Sequence, residues 1–96
     1  VGGYLVSRLA DIDLETIAEA SLEEWGQQRT EAYIRSLNDT FQRIVMFPDI
    51  GKRAAFIRPG LMQLPCGRHT IFYMKAVSGI IIVRVLHERM DFSRHH

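Results

Sequence analysis

The side chains most able to do chemistry are gathered late in the chain, in the stretch His69 to Asp91, where two apolar runs give way to Arg84, His87, Arg89 and Asp91. With Tyr73 on the preceding run, this set has the parts for metal-free RNA cleavage. His87 or Glu88 would act as base, Tyr73 as an orienting group, and Arg84 or Arg89 would hold the phosphate. The competing reading is structural: Arg84 hydrogen-bonds Tyr73 or a carboxylate across a sheet, and His87 ends its strand as a satisfied polar cap. It is favoured by strand geometry, because residues three apart on one strand project from opposite faces. A zinc site is the weaker alternative. Cys66 and His69 are spaced C-x2-H, and His87 with His95 or His96 could complete four ligands. Structural zinc sites usually draw on two or more thiolates, and the chain has one Cys. No G-x-S-x-G and no phosphate-cradling glycine loop is present, so no cofactor or metal is expected.

These residues must be positioned by a hairpin. Ser78-Gly79 reads as a two-residue turn, which sets Tyr73 opposite Arg84, Ile71 opposite Leu86 and His69 opposite Glu88. Tyr73, Lys75, Ile82 and Arg84 then share an outward face. Phe72, Met74, Ala76, Ile81, Val83 and Val85 form an apolar face that would take helices. A slip of one residue inverts every side chain. The register is preferred because it keeps the charges together.

The preceding chain supplies the cover. Tyr4-Leu5-Val6 is a β-favouring run ending at Ser7, a good N-cap. Ala10, Leu14, Ile17, Ala18, Ser21 and Trp25 then form a helical stripe, predicting a helix over about 8–25 that stops at Gly26. Tyr33, Ile34, Leu37, Phe41, Ile44 and Val45 form a second stripe, ended by Pro48. The short connection implies an antiparallel helical hairpin. Trp25, Tyr33 and Phe41 are expected in the core. Ala54 to Arg58 and Leu61 to Leu64 are short strand candidates, the latter broken by Pro65-Cys66-Gly67. The expectation is an α+β fold: an N-terminal strand able to add at an edge, then a helical hairpin packed on a small antiparallel sheet, in the order β-α-α-β-β-β.

Ninety-six residues suit one domain spanning 1–96. Apolar runs are too short for a membrane span and the lone Cys suits a reducing compartment, so a soluble cytoplasmic protein is expected. Val1-Gly2-Gly3 carries no initiating Met and reads as a trimmed or alternative start, or an expression scar. The net charge of +1 hides an asymmetry: residues 1–48 hold four Arg against eight acids, and residues 49–96 hold eight Lys or Arg against three. That pattern fits either a basic partner-binding face or two halves that attract each other.

The ordered set Tyr4-x-x-Ser7-x-x-Ala10-x-x-Asp13-Leu14-x-x-Ile17, Trp25-Gly26, Tyr33, Leu37, Phe41, Pro48-x-x-Gly51, Arg58-Pro59-Gly60, Gly67-x-His69-x-Ile71-Phe72-Tyr73 and Arg84-Val85-Leu86-His87-x-Arg89-Met90-Asp91 resembles the ParE toxins of bacterial toxin–antitoxin operons. The resemblance covers residues 4 to 95. It implies the RelE/ParE fold, a ParD-like antitoxin with a ribbon-helix-helix DNA-binding domain, and a toxin that stalls DNA gyrase with its DNA cleaved. DNA would be met only through antitoxin or gyrase. RelE-like relatives instead cut mRNA on the ribosome, with a late Tyr or His/Tyr pair; here no Tyr follows Tyr73, which points to the gyrase branch and to a toxin that is not an enzyme. On this reading Arg84, His87, Arg89, Met90, Asp91 and Arg94 would meet the target, and Tyr73, Lys75, Ile82 and Leu86 the antitoxin. His87, Arg84 and Tyr73 would be catalytic only in the RelE-like alternative.

Overall fold

A computed structural model of the chain describes residues 3–90, so Asp91 and Arg94 of the expected target surface lie outside the described residues. The order is β1 (Gly3–Val6), α1 (Arg8–Trp25), α2 (Gln27–Met46), β2 (Lys52–Arg53), β3 (Leu61–Cys66), β4 (His69–Ala76) and β5 (Gly79–His87). Both helices begin and end where the sequence patterns place them. Gly26 sits between them at φ +83°, a conformation that only glycine takes without a Cβ penalty.

The five strands form one sheet in the order β1-β5-β4-β3-β2. It is mixed rather than purely antiparallel, because β1 pairs parallel with β5. Two local expectations are corrected. The extra strand is Lys52–Arg53, and Ala54 to Arg58 is a turn that folds over the sheet instead of joining it. β3 also runs on through Pro65 and Cys66, which pair with Thr70 and His69. Because β2 pairs only with Gln63 and Met62, Pro65 lies beyond it on a locally open edge, where a missing N–H costs no ladder bond.

The hairpin register differs from the one expected. Ala76 pairs with Gly79, so Val77-Ser78 forms the turn, and Tyr73 faces Ile82. A bulge at Val83 then shifts the ladder: Phe72 faces Arg84, Ile71 faces Val85 and His69 faces His87. From the turn to the bulge the faces are consequently exchanged, while beyond it Val85 keeps its expected place beneath the helices. Val6, Ile82, Tyr73 and Met62 form a row across four strands that packs beneath the helices with Ala10, Ile17, Leu37, Phe41 and Ile44. Phe72, Leu86, Leu61 and Ala54 form a smaller cluster on the opposite face, closed by the 54–58 turn.

The bulge sits where β1 ends. Ser7 N–H donates to Ile82 O at 2.9 Å, and the Ser7 hydroxyl donates to Val83 O at 2.7 Å while accepting from Ala10 N–H at 3.0 Å. One residue thus caps α1 and extends the sheet edge. Six positions on, Asp13 accepts from Val85 N–H at 2.9 Å and from Arg84 Nε and Nη2 at 2.8 and 2.7 Å. This bidentate pair holds Arg84 above its ordinary pKa, chiefly through the bonds to Asp13.

With both side chains only 11% exposed, removing one partner strands the other away from water. Asp13→Ala is therefore expected to cost about 3 kcal/mol, read as a lower urea midpoint with an unchanged slope. A midpoint within error of the parent would show that the pair contributes little.

Candidate functional site

Tyr73, expected on an outward face, is fully buried. Its hydroxyl donates to Pro48 O at 2.7 Å and accepts from Gly51 N–H at 3.0 Å, tying β4 to the loop after α2. A Cβ on Gly51 would lie 2.6 Å from Gln63 O and 2.7 Å from this hydroxyl, so the loop can approach only with glycine there. Burial raises the Tyr73 pKa and keeps the phenol neutral. Ile82 and Leu86 are also buried, at 0% and 2% exposure, and Arg84 is locked to Asp13. Of the expected antitoxin surface, Lys75 alone is exposed, paired with Asp49. Of the expected target surface, His87 is half-buried and Arg89 and Met90 are exposed where the chain leaves β5. Tyr73, Arg84 and His87 therefore do not converge: each of the first two has its polar atoms engaged elsewhere in the fold.

A different cluster assembles at the end of the sheet where β5 finishes. Tyr33, half-buried on α2, reaches His69 Nδ1 at 2.6 Å and accepts from Arg68 N–H at 3.1 Å. Gly67, at φ +61°, makes the turn beneath it; a Cβ there would meet the Tyr33 ring at 2.7 Å. The His69 and His87 rings meet edge to face at 5.4 Å, and His87 Nδ1 accepts from Arg89 N–H at 3.2 Å. Burial, followed by the charge of His87, pushes the His69 pKa below its ordinary 6.5, while burial raises that of Tyr33. The two directions agree on a neutral imidazole bonded at Nδ1 to a neutral phenol, whose hydroxyl also lies 3.3 Å from Cys66 O. Cys66 Sγ lies 3.3 Å from the Thr40 hydroxyl on α2. Among the described residues, no three His, Cys, Asp or Glu are grouped to hold a metal ion.

Of the aromatics expected in the core, Phe41 is fully buried and Tyr33 packs half-buried against that core, while Trp25 lies partly exposed beside this cluster. Trp25 packs its edge on Tyr33 at 5.7 Å and carries the guanidinium carbons of Arg29 and Arg68 at 4.9 and 5.1 Å from its ring centre. No local signal marked this arrangement, because Gly26 breaks the helix between Trp25 and Arg29 and Arg68 arrives from the β3–β4 turn.

Apolar side chains remain open at several places, among them Leu9, Ile12 and Leu22 on α1, Phe56 in the 54–58 turn, and two further groups. On the sheet face away from the helices, Leu5 pairs with Ile81 and Ile81 with Met74. Leu5 is 69% exposed and its two neighbours are partly so. At the hairpin tip, Val77, exposed, lines a cleft of about 630 Å³ together with Val45, Pro48, Lys75 and Ile80, and Met46, Phe47 and Ile50 are exposed where α2 ends. Among the described residues no helix is long and apolar enough to cross a membrane.

Two layers, a helical hairpin on a five-stranded mixed sheet, define the class: the fold matches a chain of the chromosomal ParDE toxin–antitoxin system from P. aeruginosa with a TM-score of 0.78, covering 90% of this chain and 95% of that one at 15% identity. Sequence narrows it further. The family model described as ParE toxin of type II toxin-antitoxin system, parDE, matches residues 4–92. The chain is 41% identical over 93 residues to toxin ParE1 of Mycobacterium tuberculosis strain H37Rv and 34% identical over 92 residues to toxin ParE1 of Caulobacter vibrioides, with 96% of this chain and 95% of each relative covered. The protein belongs to the ParE toxin family.

The Tyr33–His69 pairing yields a pH dependence. Because the folded protein holds His69 below its ordinary value, the unfolded chain binds the extra proton first, and stability falls as pH drops through 6.5. The thermal midpoint should decline between pH 8 and pH 5.5 more steeply in the parent than in His69→Gln. Equal slopes would remove His69 from the acid response.

Proposed function

We propose that this ParE-family toxin acts by binding, stabilising the cleaved-DNA complex of DNA gyrase, and that a ParD-like antitoxin of the ribbon-helix-helix type neutralises it. The observation that carries the non-catalytic reading is the dispersal of Tyr73, Arg84 and His87. A phenol bonded to Pro48 O and a guanidinium bonded to Asp13 cannot also hold and activate an RNA phosphate without dismantling the fold. The protein's part in the gyrase reaction is then positional: it presents charged and apolar side chains to an assembly that performs the chemistry itself. We assign it to the cytoplasm, where gyrase works, acting as one unit over residues 1–96.

Target contact falls to the segment after β5, where Arg89 and Met90 are exposed and the chain continues through Asp91 and Arg94. Antitoxin contact falls to the opposite sheet face, along Leu5, Ile81 and Met74. There an apolar segment of a partner would bury side chains that the chain alone leaves in water. Full burial of Leu5 is worth about 1.5–3 kcal/mol, enough for a few such residues to anchor a complex.

The two surfaces predict separable variants. Arg89→Ala combined with deletion of residues 92–96 should lower gyrase-dependent DNA cleavage at least about tenfold, equivalent to 1.4 kcal/mol, and leave antitoxin capture intact. Leu5→Glu with Met74→Glu should do the reverse. Purified protein, gyrase and plasmid, assayed for covalently trapped cleaved DNA, provide the readout. Absence of both trapping and supercoiling inhibition would sink the proposal, and mRNA cleavage in a translating extract would replace it with the nuclease reading.

A further inference from the structure

The cleft between the start of α2 and the β3–β4 turn has no part in the surfaces above. About 380 Å³ in volume, it is lined by Trp25, Arg29, Tyr33, Ser36 and Arg68, and small-ligand clefts begin at about 300 Å³. Its two cations are arranged unusually for surface arginines. Both guanidiniums lie against the single Trp of the chain, and Arg29 makes no ion pair with any described residue. Stacking restrains a guanidinium while leaving its N–H edge free, so the entropy of ordering a long side chain is already lost before an anion arrives. The walls are aromatic. Trp25 is half-exposed, and Tyr33 is fixed by its bonds to His69 and Arg68 N–H.

Acidic groups oppose this charge from two sides. Glu24 reaches Arg68 Nη1 at 3.5 Å, with both side chains more than half exposed, a geometry of little strength in water. Glu88, at the end of β5, acts on the Tyr33 hydroxyl at longer range. A phosphate would displace Glu24 from Arg68 and find Arg29 unoccupied.

We propose that this cleft binds one nucleotide of an unpaired nucleic-acid strand, its phosphates met by the edges of Arg29 and Arg68 and its base packed on the Trp25 and Tyr33 margin. The Trp25 ring already carries both guanidiniums, so an unstacked base would pack on a guanidinium plane and the exposed aromatic margin, whereas a duplex presents only its backbone there. A bare phosphate would use the arginines and ignore the aromatic walls. An acidic peptide would do the same, which is why the nucleotide is favoured.

The lone tryptophan makes the test direct. Oligo-dT of twelve nucleotides, titrated into the full chain without gyrase or antitoxin, should change Trp25 emission and saturate. Arg29→Ala with Arg68→Ala should weaken binding at least about tenfold and flatten the salt dependence by about 1.4 in log–log slope, two contacts at 0.7 each. Circular dichroism would establish that the double variant is folded. Glu24→Gln, which removes the competing carboxylate, should tighten binding, and Lys52→Ala on β2 should not change it. Parent-like affinity and salt slope in the folded double variant would overturn the site. So would duplex DNA or inorganic polyphosphate binding as tightly as oligo-dT, since neither needs the aromatic walls. Because gyrase is absent, failure here leaves the gyrase reading untouched.

Discussion

The arrangement rests on one carboxylate. β1 ends at Val6, yet β5 continues for five residues beyond Ile82, the partner of Val6, so the edge of β5 would present open backbone groups beside a helix. Such groups are costly to bury unpaired. Ser7 and Asp13 close that edge, the first at Val83 O and the second at Val85 N–H. Both belong to the cap and second turn of α1, so closing the edge also fixes where the helix lies on the sheet. Asp13 could not be buried alone as an anion, and Arg84 supplies the counter-charge through two bonds. For Arg84 to reach α1 the strand must depart from its pleat, and the bulge at Val83 provides that departure. Everything beyond it, including the cross-strand meeting of His69 with His87, inherits the shifted register.

What could be read from the chain follows from whether the deciding interaction is local. Both helices were legible because a cap, a periodic stripe and a breaker lie within a few residues of one another. The register of β4 and β5 was not, because it was argued by segregating charge from apolar surface. That argument treats Arg84 as a solvent-seeking group, and it fails when a carboxylate 71 residues away takes the charge inside. Tyr73 misled for the same reason. Its hydroxyl suggested an exposed face, but its partners are Pro48 O and Gly51 N–H, in a loop that only the folded chain brings near. Serine 7, aspartate 13 and arginine 84 all stand in the motif set that marked the resemblance to ParE toxins. Their positions there reflect an edge-closing device, and a family pattern of this kind carries fold more directly than it carries function.

The opposed charges of the two halves resolve in similar terms. Asp13–Arg84 and Glu24–Arg68 each join the acidic helical half to the basic sheet half. The first is buried and structural, the second exposed and weak. Part of the asymmetry is thus self-attraction, as a small two-layer fold can use it. Arg29 departs from the pattern, since it lies in the acidic half, faces the basic one, and leans on an indole instead of a carboxylate. Arg89 departs at the other boundary, exposed where the described chain ends.

These departures matter because the two faces of the sheet are not equally complete. Under the helices the row from Val6 through Ile82 and Tyr73 to Met62 is filled, so a partner cannot gain apolar burial there without unfolding the toxin. On the other face the 54–58 turn covers Leu61, Phe72 and Leu86 and stops short of β1. Leu5 and Ile81 are left where a second chain could finish what the turn begins, with Met74, which packs partly on the covered cluster, at the margin. A partner that binds only the folded state stabilises it in proportion to its affinity and concentration. A partner that covered this face would therefore protect the chain from unfolding.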